Sequence, residues 1–354
     1  MLSTDSAAVT GVDDSGQGFI PLSDDELLAH AERVNGKVVV ITGAANGIGR
    51  QTAARFASAG AKIVIGDVDV PGAERAVTEI RASGGEAACI RCDVTIWEDQ
   101  LGLFDLAIRT FGSVDIVVAN AGVGELYNFT EVKFNPNGKP KRPSMLPIEI
   151  NFVGVIYTIQ LAQHYLLVGA STNDPFKSII VLGSMASWIG NNLIPVYVTT
   201  KHGVLGLVRS LDPMLSAQGI KIAIICPFFA ETAIIRNILP SLYRLTAAGI
   251  RFTAVSRITA AILYAASISN ERSGSAYLLL DDGPVFQVSR EEFKVGVYQK
   301  VDERANSYFR PLTGLAYISK VTEDVVGVVG VTSISAISAV AVAMAYTAWF
   351  RRNR

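Results

Sequence analysis

The segment "YVTTK" places a phenol at Tyr197 and an ammonium at Lys201. On a helix, residues four apart share one face, so the ammonium can lie beside the phenol and favour its ionised form. A phenol with an ordinary pKa of about 10 needs that help to exchange protons near neutral pH. The pair is suited to acid/base work. A second stretch with chemical potential is "VVVITGAANGIGRQTAARFASAGAKIVIGD", residues 38 to 67. Gly43, Gly47 and Gly49 stand where a strand must turn into a helix whose apolar face includes Ile48 and Phe56. Glycine lets a ligand approach the backbone, and the free N–H groups of a helix start suit a pyrophosphate. Asp67 ends the next strand, eighteen residues beyond Gly49, where a carboxylate can bond ribose hydroxyls and repel a 2′-phosphate. The expected cofactor is therefore NAD rather than NADP.

These groups must be held by elements, and the pattern from Lys37 onward alternates strand and helix. Strands are expected near 37–41, 62–66, 87–91, 115–119, 177–183, 221–226 and 276–281. Helices are expected near 47–59, 72–83, 97–111, 146–167, 196–217 and 255–267. Such alternation predicts an α/β fold, a Rossmann-like doubly wound parallel sheet of about seven strands with helices on both faces. Ligands on such sheets bind beyond the carboxyl ends of the strands. Residues 1–36 read as an N-terminal extension packed loosely on a domain spanning 37–285. Within the extension "SDDELLAHAERVNG" offers Ser23 and Glu26 as a capping box and Gly36 as a stop, which predicts a short helix. "EVKFNPNGKPKRPSM" reads as a surface insertion near the rim of the site.

The 354 residues carry a net charge of −1 without a clustered basic patch of nucleic-acid type, which argues against a nucleic-acid partner. Three cysteines, Cys89, Cys92 and Cys226, offer no disulfide framework and fit a reducing compartment. The CxxC formed by Cys89 and Cys92 falls in a strand pattern, where residues three apart point to opposite faces, so a structural role is expected and no metal site.

Short signatures recur at the expected strand ends: "CDV" with Asp93, "VVANAG" with Asn120, Ala121 and Gly122, "EINFVG" with Asn151, and "VLGSMAS" with Ser184 thirteen residues before Tyr197. Together with "TGAANGIG" and "YVTTK" they resemble the short-chain dehydrogenase/reductase family over residues 37–283. The branch with "YVTTKHGVLGLVRS" and "IAIICPFFAETAI" looks like the NAD-linked hydroxyprostaglandin dehydrogenase type. The resemblance implies that Tyr197 takes the hydroxyl proton of an alcohol as hydride leaves its carbon. It implies that Ser184 bonds the substrate oxygen, that Lys201 also holds the nicotinamide ribose, and that Asn151 supports a water path for the proton. Asn46, Ile48, Asp93, Val94, Asn120, Ala121, Gly122 and Pro227 would join the glycines and Asp67 in holding NAD, with Thr232 at the carboxamide. Two positions depart from the family pattern: Ala119 stands where Asn is frequent, and Phe228 replaces a glycine, placing a ring where backbone normally passes near the nicotinamide. The second departure motivates an alternative reading, a catalytically idle NAD-binding scaffold or sensor.

A wall of Met185, Trp188, Ile189, Leu193, Ile194, Phe228 and Phe229, with no charged residue, suits a small apolar secondary alcohol or its ketone. A homo-oligomer is expected. Residues 325–350 carry no charge over twenty-six positions and precede "RRNR". That exceeds the roughly 20 residues needed to cross a hydrocarbon core of about 30 Å, so a C-terminal hydrophobic helix is expected to span a membrane, the competing reading being a buried helix or a dimerisation arm. It would resemble a tail anchor with Tyr346, Trp349 and the arginines at the interface, residues 286–323 as linker, and the catalytic domain in the cytosol.

Overall fold

The computed structural model describes residues 19–129, 131–168, 176–230, 232, 251–269, 272–280, 283–290 and 292. Seven parallel strands form the body of one sheet: β2 (Val38–Thr42), β3 (Lys62–Asp67), β4 (Glu86–Arg91), β5 (Ile116–Ala119), β6 (Lys177–Leu182), β7 (Ile220–Pro227) and β8 (Ala276–Leu279). Every residue of β2, β5, β6 and β7 is buried, as expected for parallel strands covered on both faces. This is why the sequence shows them as continuous apolar runs instead of alternating ones.

The order across the sheet is β1-β9-β8-β7-β6-β5-β2-β3-β4. The chain winds outward from β2 through β3 to β4, then returns to start β5 on the other side of β2. That reversal opens a crevice beyond the carboxyl ends of β2 and β5. Helices α1 (Gly47–Ser58), α2 (Val70–Ala82) and α7 (Val255–Ser267) pack together on one face. The other face carries α3 (Trp97–Phe111), α5 (Gly154–Tyr165) and α6 (Pro195–Ala217), with a one-turn α4 (Leu146–Ile148) and a π-helical turn (Glu149–Val153) leading into α5.

Two expectations are corrected. The sheet has nine strands among the described residues, because β9 (Val285–Val288) and then β1 (Ile20–Leu22) extend it antiparallel beyond β8, with β1 at the edge. β1 is three residues long and contains Pro21, a combination tolerated at an edge and without a readable period. Its neighbours are not loosely attached: Leu22, Leu27 and Val34 are buried in the main core. The expected helix after Ser23 is instead two 3-10 turns, Glu26–Leu28 and Ala31–Val34, although the capping box forms, with Ser23 N–H donating to Glu26 Oε2 at 2.8 Å and Glu26 N–H to Ser23 Oγ at 3.3 Å. The run breaks at His30, whose φ of −126° and ψ of 19° leave the helical region.

The apolar span at 325–350 lies outside the described residues. Among the described residues, no helix is long and apolar enough to cross a membrane.

Candidate active site

The glycine loop is built around close backbone approach. Gly43 has φ +69°, and a Cβ there would lie 2.6 Å from the Cα of Ala121; at Gly49 it would lie 2.3 Å from the carbonyl oxygen of Gly43. Asn120 braces the loop from β5, its Nδ2 donating to the carbonyls of Thr42 at 3.0 Å and Gly43 at 2.7 Å. Asp67 closes the far side: Oδ2 accepts from Ala45 N–H at 2.8 Å and Oδ1 from Asp69 N–H at 2.9 Å. Asn46, at the N-cap of α1, bonds Asp69 through its side chain. Asp93 accepts from the N–H and hydroxyl of Thr95 and so shapes the turn after β4. Thr232 reaches the same loop, its methyl 3.7 Å from where a Cβ on Gly47 would stand.

Tyr197 and Lys201 lie on the first turns of α6, with the ammonium 5.7 Å from the phenol ring centroid. Lys201 Nζ donates to Leu182 O at 2.7 Å, and burial lowers its pKa to about 8. Burial raises the Tyr197 phenol above its ordinary value, and the Ser184 hydroxyl bonded to it opposes the rise. Burial thus sets the direction of the shift, opposite to the one expected from the ammonium. Ser184 follows β6 as the N-cap of a 3-10 turn, where Oγ accepts from Ala186 N–H at 3.1 Å.

Asn151 sits fully buried in the π-helical turn, a local widening that recurs at functional sites. Its Oδ1 accepts from Val123 N–H at 2.8 Å; its Nδ2 donates to Val123 O at 2.8 Å and to Thr200 Oγ1 at 3.3 Å. Thr200 in turn donates to the carbonyl of Tyr197 at 2.7 Å. The other backbone group of Tyr197, its N–H, donates to Glu125 Oε2 at 2.9 Å. Both backbone groups of the tyrosine are thus tied to the loop after β5. α6 has Ile194 at its N-cap and no side-chain cap of its own, so Glu125 supplies one from a distant loop.

One cavity of about 570 Å³ collects these residues. It is lined by Gly43, Asn46, Gly47, Ile48, Gly49, Asp67, Asp93, Val94, Asn120, Ala121, Gly122, Ser184, Tyr197, Lys201, Pro227 and Thr232 among others, while Asn151 stands behind it. A glycine cradle too tight for a Cβ at Gly43 and Gly49 at one end and a Ser, Tyr and Lys cluster at the other fit a dinucleotide with its reactive ring against a substrate. Met185, Ile189, Ile194, Phe228 and Phe229 line the cavity as expected, but Trp188 and Leu193 do not. Trp188 instead donates from Nε1 to Cys226 Sγ at 3.3 Å, and Leu193 is 74% exposed. The wall is also not free of charge: Glu125 lines it, with Oε1 buried and lacking a hydrogen-bond partner. Nothing local in the sequence marks Glu125 or Thr200, since their partners come from the fold. The Phe228 ring packs edge-on against Phe229, with centroids 4.7 Å apart. The three cysteines are free thiols, and burial raises Cys92 to about 12 and Cys226 to about 11, far from the range of a reactive thiolate. Among the described residues no cluster of His, Cys, Asp and Glu could hold a metal ion.

The family model described as short chain dehydrogenase matches residues 37–242. The short-chain dehydrogenase/reductase ascJ of Acremonium egyptiacum is 34% identical over 198 residues, 55% of this chain and 64% of that relative. The cis-4-hydroxycyclohexanecarboxylate dehydrogenase of Sinomonas cyclohexanicum is 32% identical over 267 residues, covering 72% of this chain and 97% of the relative. A crystal structure of a short-chain type dehydrogenase/reductase from Mycobacterium marinum is similar with a TM-score of 0.62 and 26% identity, covering 72% of this chain and 97% of that one.

Proposed function

The chain belongs to the short chain dehydrogenase family, and from that premise we propose that it is an NAD-dependent oxidoreductase interconverting an apolar secondary alcohol and its ketone. The observation that carries the reading is that a single cavity is lined by the glycine cradle with Asp67 at its edge and by Ser184, Tyr197 and Lys201. When bound, the nicotinamide supplies the hydride acceptor for oxidation and the donor for reduction. Tyr197 takes the hydroxyl proton of the alcohol through its phenol oxygen as the carbon–hydrogen bond breaks, leaving the ketone. Ser184 orients the substrate oxygen, and Lys201 holds positive charge beneath the tyrosine. The side-chain amide of Asn151 is committed to Val123 and Thr200, so its part in the proton path is to fix the distance between the β5 loop and α6. Asp67 favours NAD through the ribose hydroxyls and through repulsion of a 2′-phosphate.

The apolar wall supports a lipid-like or polycyclic alcohol, and the Sinomonas relative is named for a substrate whose hydroxyl sits on a cyclohexane ring. The resemblance to the NAD-linked hydroxyprostaglandin type points the same way, toward lipid-like alcohols. The test is NADH production with NAD and with NADP across steroid, prostanoid, terpenoid and fatty alcohols. Preference for NADP overturns the role of Asp67. NAD binding without turnover of any alcohol or ketone would favour an idle scaffold, the reading that the Phe228 ring in the cavity motivates.

Residues 325–350 are proposed as a tail anchor, with the catalytic domain on the cytosolic side and self-association through the domain. Full-length protein should resist carbonate extraction, and a form lacking residues 324–354 should stay in the supernatant and bind NAD.

A further inference from the structure

Two segments that reach the cavity carry large exposed apolar side chains. Leu126, Phe129, Val132 and Phe134 follow Glu125, and Ile189 and Leu193 lie between Ser184 and α6; each is 47% to 74% exposed. Glu125, Leu146 and Ile189 all line the cavity, so both segments border its mouth. The first segment is a ribbon with its own pairing: Lys141 N–H donates to Lys133 O at 2.7 Å, Asn135 N–H to Lys139 O at 2.8 Å, and Phe134 bridges Pro140. In such a ribbon alternate side chains leave opposite faces. Phe134 and Pro140 share one face, and Lys133, Lys139 and Lys141 the other.

Charge on the ribbon is one-sided. Lys133, Lys139, Lys141 and Arg142 are exposed, and the one acid between residues 126 and 146, Glu131, accepts from Asn128. This excess of cations stands out in a chain of net charge −1. Aromatic and aliphatic side chains backed by long cationic ones are the composition of a surface that enters the headgroup region of an anionic bilayer, with apolar groups inserted and ammonium groups at the phosphates. A second copy of the chain is a poor occupant, because a two-fold contact would bring the same four cations face to face.

We propose that this ribbon and the adjoining rim dock the mouth of the cavity onto an anionic lipid surface. An apolar alcohol dissolved in that lipid then enters the cavity without crossing water. The docking rests on the exposed rim and not on the hydride chemistry, so its failure would leave the assignment of Tyr197 untouched.

The test places an environment-sensitive nitrobenzoxadiazole label at Phe134→Cys in full-length Cys89→Ala protein, whose remaining cysteines are buried. A control label goes to Ser83→Cys, exposed at the C-cap of α2 and not among the residues that line the cavity. Emission at position 134 should rise and shift to the blue on phosphatidylcholine vesicles containing phosphatidylserine, weakly on phosphatidylcholine alone, with no change at position 83. Lys133→Gln, Lys139→Gln and Lys141→Gln together should weaken the response by about 100-fold, from about fivefold per lysine near a charged surface. Comparing the two positions separates docking of this rim from attachment through the tail. An unchanged label at 134, an equal response at 83, or an undiminished response in the triple variant would overturn the proposal. So would a blue shift at 134 that appears without lipid as protein concentration rises, which would identify a second copy as the occupant.

Discussion

Replacing Tyr197 by Phe removes one oxygen from a position otherwise held by its backbone. The N–H of residue 197 would still donate to Glu125 and its carbonyl would still accept from Thr200, so α6 keeps its place. Lys201 would keep its bond to Leu182 O. The lost interaction is the neutral hydrogen bond with the Ser184 hydroxyl, worth about 1 kcal/mol. A domain of this size loses about 2–4 °C in Tm for each kcal/mol, which bounds the stability change. Loss of general acid/base transfer costs about 10²–10⁴ in rate, or roughly 3–5 kcal/mol of barrier. The expected result is a fall in kcat of that size, NAD affinity within about threefold of the parent, and a Tm within a few degrees, since the contacts kept are those that hold α6. NADH formation gives the rate, cofactor fluorescence the affinity, and thermal denaturation the stability. A kcat within about tenfold of the parent would remove the phenol from proton transfer, and NAD affinity falling in step with kcat would show that the hydroxyl supports the fold of the site instead.

Asp67→Ala should weaken NAD and abolish discrimination against NADP. A carboxylate and a phosphate dianion about 4 Å apart in water repel by about 2 kcal/mol, so a change of about 30-fold in the NAD to NADP affinity ratio is expected. A parent that already prefers NADP would refute this. Gly43→Ala should cost more than Gly112→Ala: both residues have positive φ, but a Cβ meets Ala121 backbone at 2.6 Å in the first and nothing within 4 Å in the second. The shared backbone term is about 1–2 kcal/mol, and equal Tm losses would show that the loop yields freely. Lys221 is buried with its Nζ on the carbonyls of Ala266 and Ile268, and burial lowers its pKa from 10.5 to about 7. Below pH 7 both folded and unfolded states carry the charge and the folded state bears its burial; between about 7 and 10.5 only the unfolded state stays protonated, so that penalty fades as pH rises. Lys221→Met should therefore stabilise most at or below neutral pH, with the gain shrinking toward pH 10, and denaturant melts showing a constant or growing gain would contradict it.

The parallel core was legible because each buried strand is an apolar run between helices of clear 3.6-residue period. The expected 255–267 and 97–111 helices coincide with those observed. The edges were not legible, and the reason is physical: β1 has three residues and gains its conformation from pairing with β9, more than 260 positions away in the chain, as in Ile20 opposite Gln287. A strand set by its partner leaves little trace in its own sequence. The helix after Ser23 shows the opposite failure. Its local cap is present, yet the run stops at His30, whose backbone leaves the helical region, and nothing in the local residue pattern marks that break.

The same division runs through the site. Tyr197, Lys201, Ser184 and the glycine loop were legible because each lies on a short motif at a strand end or helix start, where spacing alone fixes direction. What positions them was not. Glu125 caps the helix of Tyr197 from 72 positions away, and Asn151 reaches Thr200 from 49. Glu125, on the loop after β5, holds the N–H of Tyr197 directly, while the carbonyl of Tyr197 reaches Val123 of that loop only through Thr200 and Asn151. The position of the reacting phenol therefore depends on a loop that also lines the cavity, and neither Glu125 nor Asn151 lies in the short motif that makes Tyr197 legible.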